Sequence, residues 1–257
     1  MKPSRTLLVN SPRMLDRAVW FGSLGLIAVS LIGAASLQAQ SVIATYDIST
    51  ANAFSSPSVT PSTAPNVTAA NLTTTGVSVG NNLLGSFLWT VWGGSTSLNP
   101  AKYMQWSVAP TAGNQIDFTG ANATFSLVFG ADPGGTPHGA DTWQLHASTD
   151  GFVSSDIALG SAMSLAPDQQ QIPESVSLGV LATQTGTVTF RLYGYNDTSI
   201  VANSGGLANN NGALSGTGGD LLINGTVSAV PEPSSYAAVF GAVAFGFVLI
   251  TRRLRKA

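Results

Sequence analysis

The stretch Thr142-Trp-Gln-Leu-His-Ala147 gives the clearest indication of how this chain folds. Its apolar residues, Trp143, Leu145 and Ala147, alternate with polar ones. Successive side chains of a strand point to opposite faces of a sheet, so this period of two predicts a half-buried β-strand. The pair Asp150-Gly151 follows a few residues later and predicts a tight turn.

The same combination of strand-forming runs and turn clusters recurs along the chain. Runs rich in β-branched and aromatic residues predict further strands over 41–48, 83–92, 103–108, 115–118, 123–129, 175–181, 187–193 and 221–227. Clusters of Gly, Pro, Ser, Thr and Asn predict loops over 132–137 and 196–219, and a loop with short extended pieces over 50–75. About nine to eleven short strands indicate an all-β fold, an antiparallel jelly-roll-like β-sandwich.

The charges are distributed unevenly. Residues 40–229 hold two basic side chains, Lys102 and Arg191, against ten acidic ones, so this part has a formal charge near −8 although the whole chain is at −2. Proteins that bind phosphate backbones need clustered Lys and Arg, so no nucleic-acid partner is expected. The chain has no cysteine. This excludes disulfides, thiolate metal sites and a cysteine nucleophile.

Both ends of the chain are apolar targeting segments. Four basic residues precede an apolar run over 18–37, which is the layout of a secretory signal peptide. We predict a signal helix over 1–39 with cleavage after Ala39, an uncleaved amino-terminal anchor being the alternative. The β-sandwich body then covers 40–229, and a sorting segment covers 230–257.

The sorting segment combines a short motif, an apolar run and a basic end. Pro231-Glu232-Pro233 is followed by seventeen uncharged residues, 234–250. A helix of this length covers roughly 25 Å, slightly less than the roughly 30 Å of a bilayer core. We predict a transmembrane helix over 234–251. Basic residues beside an apolar run favour the cytoplasmic side, and they form the basic end of the anchor: Arg252, Arg253, Arg255 and Lys256.

These features, in this order, resemble the PEP-CTERM sorting signal of bacterial exported proteins. The resemblance covers 230–257 and rests on Pro231-Glu232-Pro233, the apolar run and Arg252-Arg253. It implies that an exosortase, a membrane transpeptidase, reads Pro231, Glu232 and Pro233 and that the helix is then removed. The membrane anchor is therefore expected to be transient. The resemblance also implies an association with the cell surface and with exopolysaccharide.

Carboxylates are the most frequent reactive groups of the body. Nine of its ten acidic residues are aspartates, and most adjoin Gly, Thr, Ser or Pro, where aspartate caps turns through its own side chain. Bound calcium is the alternative, with Asp132, Asp141 and Asp150 as weak candidate ligands, because the spacing of a dedicated calcium loop is missing. His138 and His146 lack the close spacing of a zinc helix. No catalytic residue is assigned.

The tryptophans divide into two groups. Trp106 and Trp143 lie on alternating strands, where core packing is expected. Trp89 and Trp92 precede Gly93-Gly94 and are predicted to be the more exposed pair, a candidate ligand-binding site for sugar rings.

Two functions from different classes fit these features. The preferred one is an exported, non-enzymatic protein of the cell surface or extracellular matrix, located in the cell envelope, whose body binds polysaccharide or simply occupies the envelope. The alternative is a secreted hydrolase acting on a glycan, which needs a pair of carboxylates facing one cleft.

Overall fold

Antiparallel strands build the body of the chain. In chain order they are β1 (Ser41–Tyr46), β2 (Pro61–Thr63), β3 (Val67–Thr75), β4 (Ser78–Val79), β5 (Ser86–Thr90), β6 (Tyr103–Pro110), β7 (Asn114–Asp117), β8 (Asn122–Ala131), β9 (Pro137–His138), β10 (Thr142–Ser148), β11 (Ile157–Ser164), β12 (Gln171–Ser177), β13 (Thr183–Gln184), β14 (Val188–Tyr195), β15 (Gly205–Ala208) and β16 (Leu221–Ala229). This computed structural model describes residues 40–49, 58–79, 86–92, 95–131, 137–138, 140–165, 171–196, 205–209, 219–231 and 233–255. The predicted signal peptide, Asp132, Glu232 and Lys256 lie outside these ranges.

The described strands form two antiparallel sheets, which confirms the all-β prediction. The larger sheet has eleven strands, with β13, β7, β16, β8, β15, β5 and β4 as its main path. The smaller sheet has five, in the order β11, β10, β14, β6 and β3. Because β1 pairs with β16, the first and last strands of the body are hydrogen-bonded neighbours. The body is therefore closed by contacts between residues far apart in the sequence.

One apolar cluster contains residues of both sheets. Tyr46 from β1 in the larger sheet packs edge-on against Trp106 from β6 in the smaller one, with ring centres 6.4 Å apart. Trp106 stacks in turn on Phe190 from β14 at 5.7 Å. The Tyr46 hydroxyl donates to the Ala70 carbonyl at 2.8 Å, and burial raises its pKa. The two sheets thus face each other across a common core, as in a β-sandwich.

Several predicted loops contain strands. The segment 50–75, predicted as a loop with short extended pieces, includes the short β2 and the nine-residue β3, and the predicted loop 196–219 includes β15. Strand β11 lies in a segment for which no strand was predicted, and the predicted strand 175–181 ends in a short 3₁₀ turn over Gly179–Leu181. The other predicted strands are confirmed, with their ends shifted by a few residues.

The carboxyl-terminal segment is a unit separate from the body, which covers 39–230. Of the predicted transmembrane helix over 234–251, the helical structure alone is confirmed: α1 covers Pro233–Leu254, with Arg252 and Arg253 in its last turn. In the part of the chain that the structure describes, no helix combines the length and the apolar character needed to cross a membrane.

Candidate functional site

The outer face of the five-stranded sheet carries a cluster of aromatic and charged side chains. Strand register places His146 of β10 opposite Arg191 of β14, and Arg191 opposite Gln105 of β6. Directly opposite residues of antiparallel strands share a face. Their chain neighbours Leu145 and Leu192 are fully buried, so the row from His146 to Gln105 points away from the core. We call the group on this face the arginine cluster: Tyr103, His146, Phe152, Asp156, Arg191 and Tyr193.

Arg191 lies at the centre of the arginine cluster. The guanidinium carbon lies 4.0 Å from the centre of the Tyr103 ring and 4.1 Å from that of Phe152. Its Nε donates to Gln105 Oε1 at 2.9 Å. Each such contact between a cation and an aromatic face contributes about 0.5–2 kcal/mol. Rings and one amide oxygen therefore fix the orientation of the guanidinium.

His146 and Asp156 are hydrogen-bonded to each other on the same face as Arg191. His146 Nδ1 lies 2.6 Å from Asp156 Oδ1, and the side chain of His146 is 13% exposed whereas that of Asp156 is 58% exposed. His146 Nε2 is buried and has no hydrogen-bond partner among the described residues. Such orphaned buried groups are rare in folded proteins. The arginine cluster thus contains one polar atom whose hydrogen-bonding capacity is unused.

Tyr193 forms the floor of the arginine cluster. It is only 2% exposed, and its ring meets those of Tyr103 and His146 edge-on, with centres 5.9 Å and 5.1 Å away. Burial raises the pKa of the Tyr193 hydroxyl, an effect that Arg191 opposes in part. The hydroxyl is therefore protonated at neutral pH and available as a donor.

Phe152 reaches Arg191 from the turn between β10 and β11. Its backbone has a φ of +67°, which is costly for a residue with a side chain, by about 1–3 kcal/mol. Hydrogen bonds hold this conformation. The Phe152 amide donates to Ser148 Oγ at 2.7 Å, and Ser148 Oγ donates to Asp150 Oδ1 at 2.8 Å.

Asp150 organises the rest of the same turn. Its carboxylate accepts the backbone amides of Val153 at 3.2 Å, Ser154 at 2.9 Å and Ser155 at 3.0 Å. Hydrogen bonds from the side chains of Ser154 and Ser148 lower its pKa most. A depressed carboxyl pKa stabilises the turn at every pH above the ordinary aspartate value, and this contribution is lost as the pH falls through the lowered pKa. The turn is thus fixed at neutral pH.

The structure does not bring the predicted calcium ligands together. Asp141 and Asp150 lie at opposite ends of β10, a seven-residue strand that spans roughly 20 Å. Asp141 accepts two bonds from Asn196 Nδ2, at 2.8 Å and 3.0 Å. No group of three or more metal-binding side chains occurs among the residues that the structure describes, which do not include Asp132.

The prediction that Trp89 and Trp92 are exposed is wrong. They are 4% and 0% exposed, and Trp92 packs edge-on against Trp143 at 4.8 Å. The Trp92 indole nitrogen donates to the Trp89 carbonyl at 2.8 Å. Both indoles are parts of the core and present no surface to a sugar ring. The prediction that Trp106 and Trp143 are core residues is confirmed, at 1% and 0% exposure.

A second concave region lies where β8, β12 and β16 meet. This pocket has a volume of about 430 Å³ and is lined by Glu174 and Asp220 with several small polar residues. Burial raises the pKa of the Glu174 carboxyl. Asp220 Oδ1 already accepts the Ile48 amide at 2.9 Å and Asn209 Nδ2 at 2.8 Å. One of the two carboxylates is therefore engaged in holding the fold.

Sequence reasoning missed the arginine cluster. Its residues belong to three strands and one turn, and strand pairing is what brings them together. One signal was present: Lys102 and Arg191 are the two basic residues of 40–229.

Comparison with known proteins adds no assignment. The chain matches no protein-family model, and a search of curated proteins gives no match.

Proposed function

We propose that this chain is an exported, non-enzymatic protein of the cell surface or extracellular matrix. In this proposal residues 1–39 direct export, 40–229 form a jelly-roll body, and an exosortase-type transpeptidase processes the chain at Pro231-Glu232-Pro233. The observation that carries the proposal is the order of features over 230–257. The helix begins at Pro233, the last residue of the motif, and has basic residues in its last turn.

The surface of α1 supports attachment to a membrane. Large apolar side chains along it are exposed, among them Phe240 at 70%, Phe245 at 65% and Phe247 at 67%. Exposed apolar surface on this scale indicates an interaction with a membrane or another protein. Arg252, Arg253 and Arg255 follow these residues and favour the cytoplasmic side, which leaves the body outside.

The body supports a binding or structural role rather than one that involves nucleic acid. Its formal charge is near −8, which opposes phosphate backbones. Two antiparallel sheets share one core, an architecture common to lectin-like jelly rolls. Polysaccharide is the ligand class that we propose for the body, in line with its predicted place at the cell surface.

Replacing Glu232 tests the sorting proposal. Glu232→Ala is expected to leave the body folded but to retain the chain in the membrane with its helix uncleaved, because the transpeptidase no longer reads the motif. Cell fractionation in the native host, together with the mass of the mature protein, measures both effects. Asp47→Ala, which removes an exposed carboxylate of the body, is the matched control and should be sorted normally. Normal sorting of the Glu232 variant would refute the proposal.

The pocket lined by Glu174 and Asp220 favours a second function, that of a secreted glycan hydrolase. Two carboxyl groups that line one cleft, one of them with a raised pKa, are the arrangement used in acid–base cleavage of glycosidic bonds. The measurement is release of reducing ends from a panel of acidic and neutral polysaccharides. A hydrolase should lose this release on Glu174→Gln, and no release by the unaltered protein removes this alternative.

A further inference from the structure

Positive charge in the body is concentrated around Tyr103. Residues 40–229 contain two basic residues. Lys102 precedes Tyr103 in the chain and donates to the Val91 carbonyl, while the Arg191 guanidinium lies 4.0 Å from the Tyr103 ring centre. In a body with ten acidic residues, the two basic residues are thus both neighbours of Tyr103.

The charge of Arg191 is not neutralised within the cluster. Among the described residues no carboxylate forms a salt bridge with Arg191, and the nearby Asp156 is paired instead with His146 at 2.6 Å. A guanidinium has five donors in a flat fork that matches a carboxylate with two parallel hydrogen bonds. Nε donates to Gln105 Oε1, and the Tyr193 hydroxyl takes part in a further side-chain hydrogen bond with Arg191. The N–H groups that remain are suited to an external anion.

Two further features at the same place point to a ligand. Phe152 is held at a strained φ of +67° by Ser148, and its ring is thereby placed on the guanidinium. His146 lies directly opposite Arg191, and its Nε2 atom is buried without a hydrogen-bond partner among the described residues. Strained backbone and unsatisfied polar atoms concentrate at binding sites, where the surrounding structure maintains them.

We propose that the arginine cluster binds a carboxylate-bearing sugar, such as a uronate unit of an acidic polysaccharide. Arg191 forms the bidentate pair with the carboxylate, and the rings of Tyr103 and Phe152 provide the apolar surface beside which the sugar lies. The planar guanidinium fork pairs with a carboxylate through two parallel hydrogen bonds. This inference rests on the polysaccharide-binding part of the proposed function and names the class of sugar.

Binding of defined polymers tests the inference. The full-length protein in a neutral detergent is titrated with polygalacturonate, with its methyl ester, which has the same backbone without charge, and with dextran sulfate. Polygalacturonate is expected to bind, and more weakly as NaCl is raised from 0.15 to 1 M, because salt screens exposed charges. The methyl ester should bind at least about ten-fold more weakly, as expected for loss of a charge-assisted pair. Equal binding of ester and acid, or preference for dextran sulfate, overturns the proposal.

Substitutions test whether polygalacturonate binds at the arginine cluster. Arg191→Gln should weaken polygalacturonate binding about ten-fold or more, whereas Thr185→Glu, which changes the net charge equally in an exposed turn, should bind normally. Arg191→Lys keeps the charge but loses the fork, and it should bind more weakly than the unaltered protein. Asp150→Ala, which releases the turn that places Phe152, should also weaken binding. Unaltered binding in the two Arg191 variants contradicts the inference.

The outcome is separable from the test of the sorting proposal. Failure of the unaltered protein to bind polygalacturonate removes the uronate site, yet it leaves the localisation result of Glu232→Ala unaffected. Conversely, normal sorting of Glu232→Ala together with Arg191-dependent binding of polygalacturonate removes the sorting proposal and retains the site.

Discussion

Trp143→Ala is expected to lower the free energy of unfolding by about 3–5 kcal/mol, the range for truncating a large aromatic side chain in a core. Trp143 is fully buried and packs edge-on against Trp92 at 4.8 Å. Its indole nitrogen donates to the Ala140 carbonyl at 2.9 Å. Truncation removes these contacts together and leaves that carbonyl without its indole donor.

The site of Trp143 cannot easily collapse after the truncation. Glycines shape it, since a Cβ atom on Gly194 or Gly205 would lie 3.0 Å from indole carbons of Trp143. These two positions have no side chains that could move into the space, so a cavity remains and adds to the cost. The cavity places the expected loss in the upper part of the range.

Thermal unfolding of the full-length protein in detergent, followed by near-ultraviolet circular dichroism, measures this loss. A domain of this size loses roughly 2–4 °C in melting temperature per kcal/mol, so a decrease of about 10 °C is expected. Val153→Ala, an apolar truncation at a side chain that is 85% exposed, is the control and should leave the melting temperature unchanged. A Trp143 variant that melts like the control would show that the indole is not a core residue.

The sequence is sufficient to predict the strands that keep a strict period of two. In β10 the buried residues Trp143, Leu145 and Ala147 alternate with half-buried ones, and β6, β14 and the start of β16 behave likewise. Each of these strands has one face on the core. The alternation of buried and half-buried residues follows from this one-sided burial. It can therefore be recognised in the sequence without knowing which strands are the neighbours.

The missed strands break the period. In β3 the two buried residues, Val67 and Leu72, are five positions apart, because the pairing with β6 shifts between Ala70 and Thr73. This bulge inserts one extra residue and reverses the faces that follow it. In β11 the buried residues Leu159 and Met163 are four apart, but Ser161 between them is exposed. The pairing with β10 is irregular there, and Gly160 has a φ of +68°. Neither strand therefore shows a regular alternation.

The arginine cluster was inaccessible to sequence reasoning for a different reason. Arg191 and Phe152 are far apart in the chain, and their contact depends on the pairing of β10 with β14 and on the unusual backbone of Phe152. The turn itself was predictable from Asp150-Gly151. The hydrogen bonds of Asp150 and Ser148 within the turn are local and agree with the turn-capping role expected for the aspartates. The contact between Phe152 and Arg191 is not local, and no sequence pattern indicates it.

Gly206→Ala is expected to destabilise the body by roughly 3 kcal/mol, at the upper end for overpacking. Gly206 belongs to β15, the strand inside a predicted loop, which lies between β5 and β8 in the larger sheet. A Cβ atom there would lie 2.8 Å from Met104 Cε and still closer to the backbone carbonyl of Phe87. The methionine can rotate away, but the carbonyl cannot move without disturbing the ladder between β15 and β5.

The glycine composition that predicts a loop is therefore what allows β15 to occupy the interior of the sheet, where all four of its residues are buried. Gly186→Ala tests this reasoning by comparison, because a Cβ atom at Gly186 meets nothing within 4 Å. Urea unfolding of the two variants should show a lower midpoint for Gly206→Ala and no loss for Gly186→Ala. Equal urea midpoints of the two variants would mean that β15 tolerates a side chain at its centre. The Gly-rich and Asn-rich composition would then indicate a loop at this position.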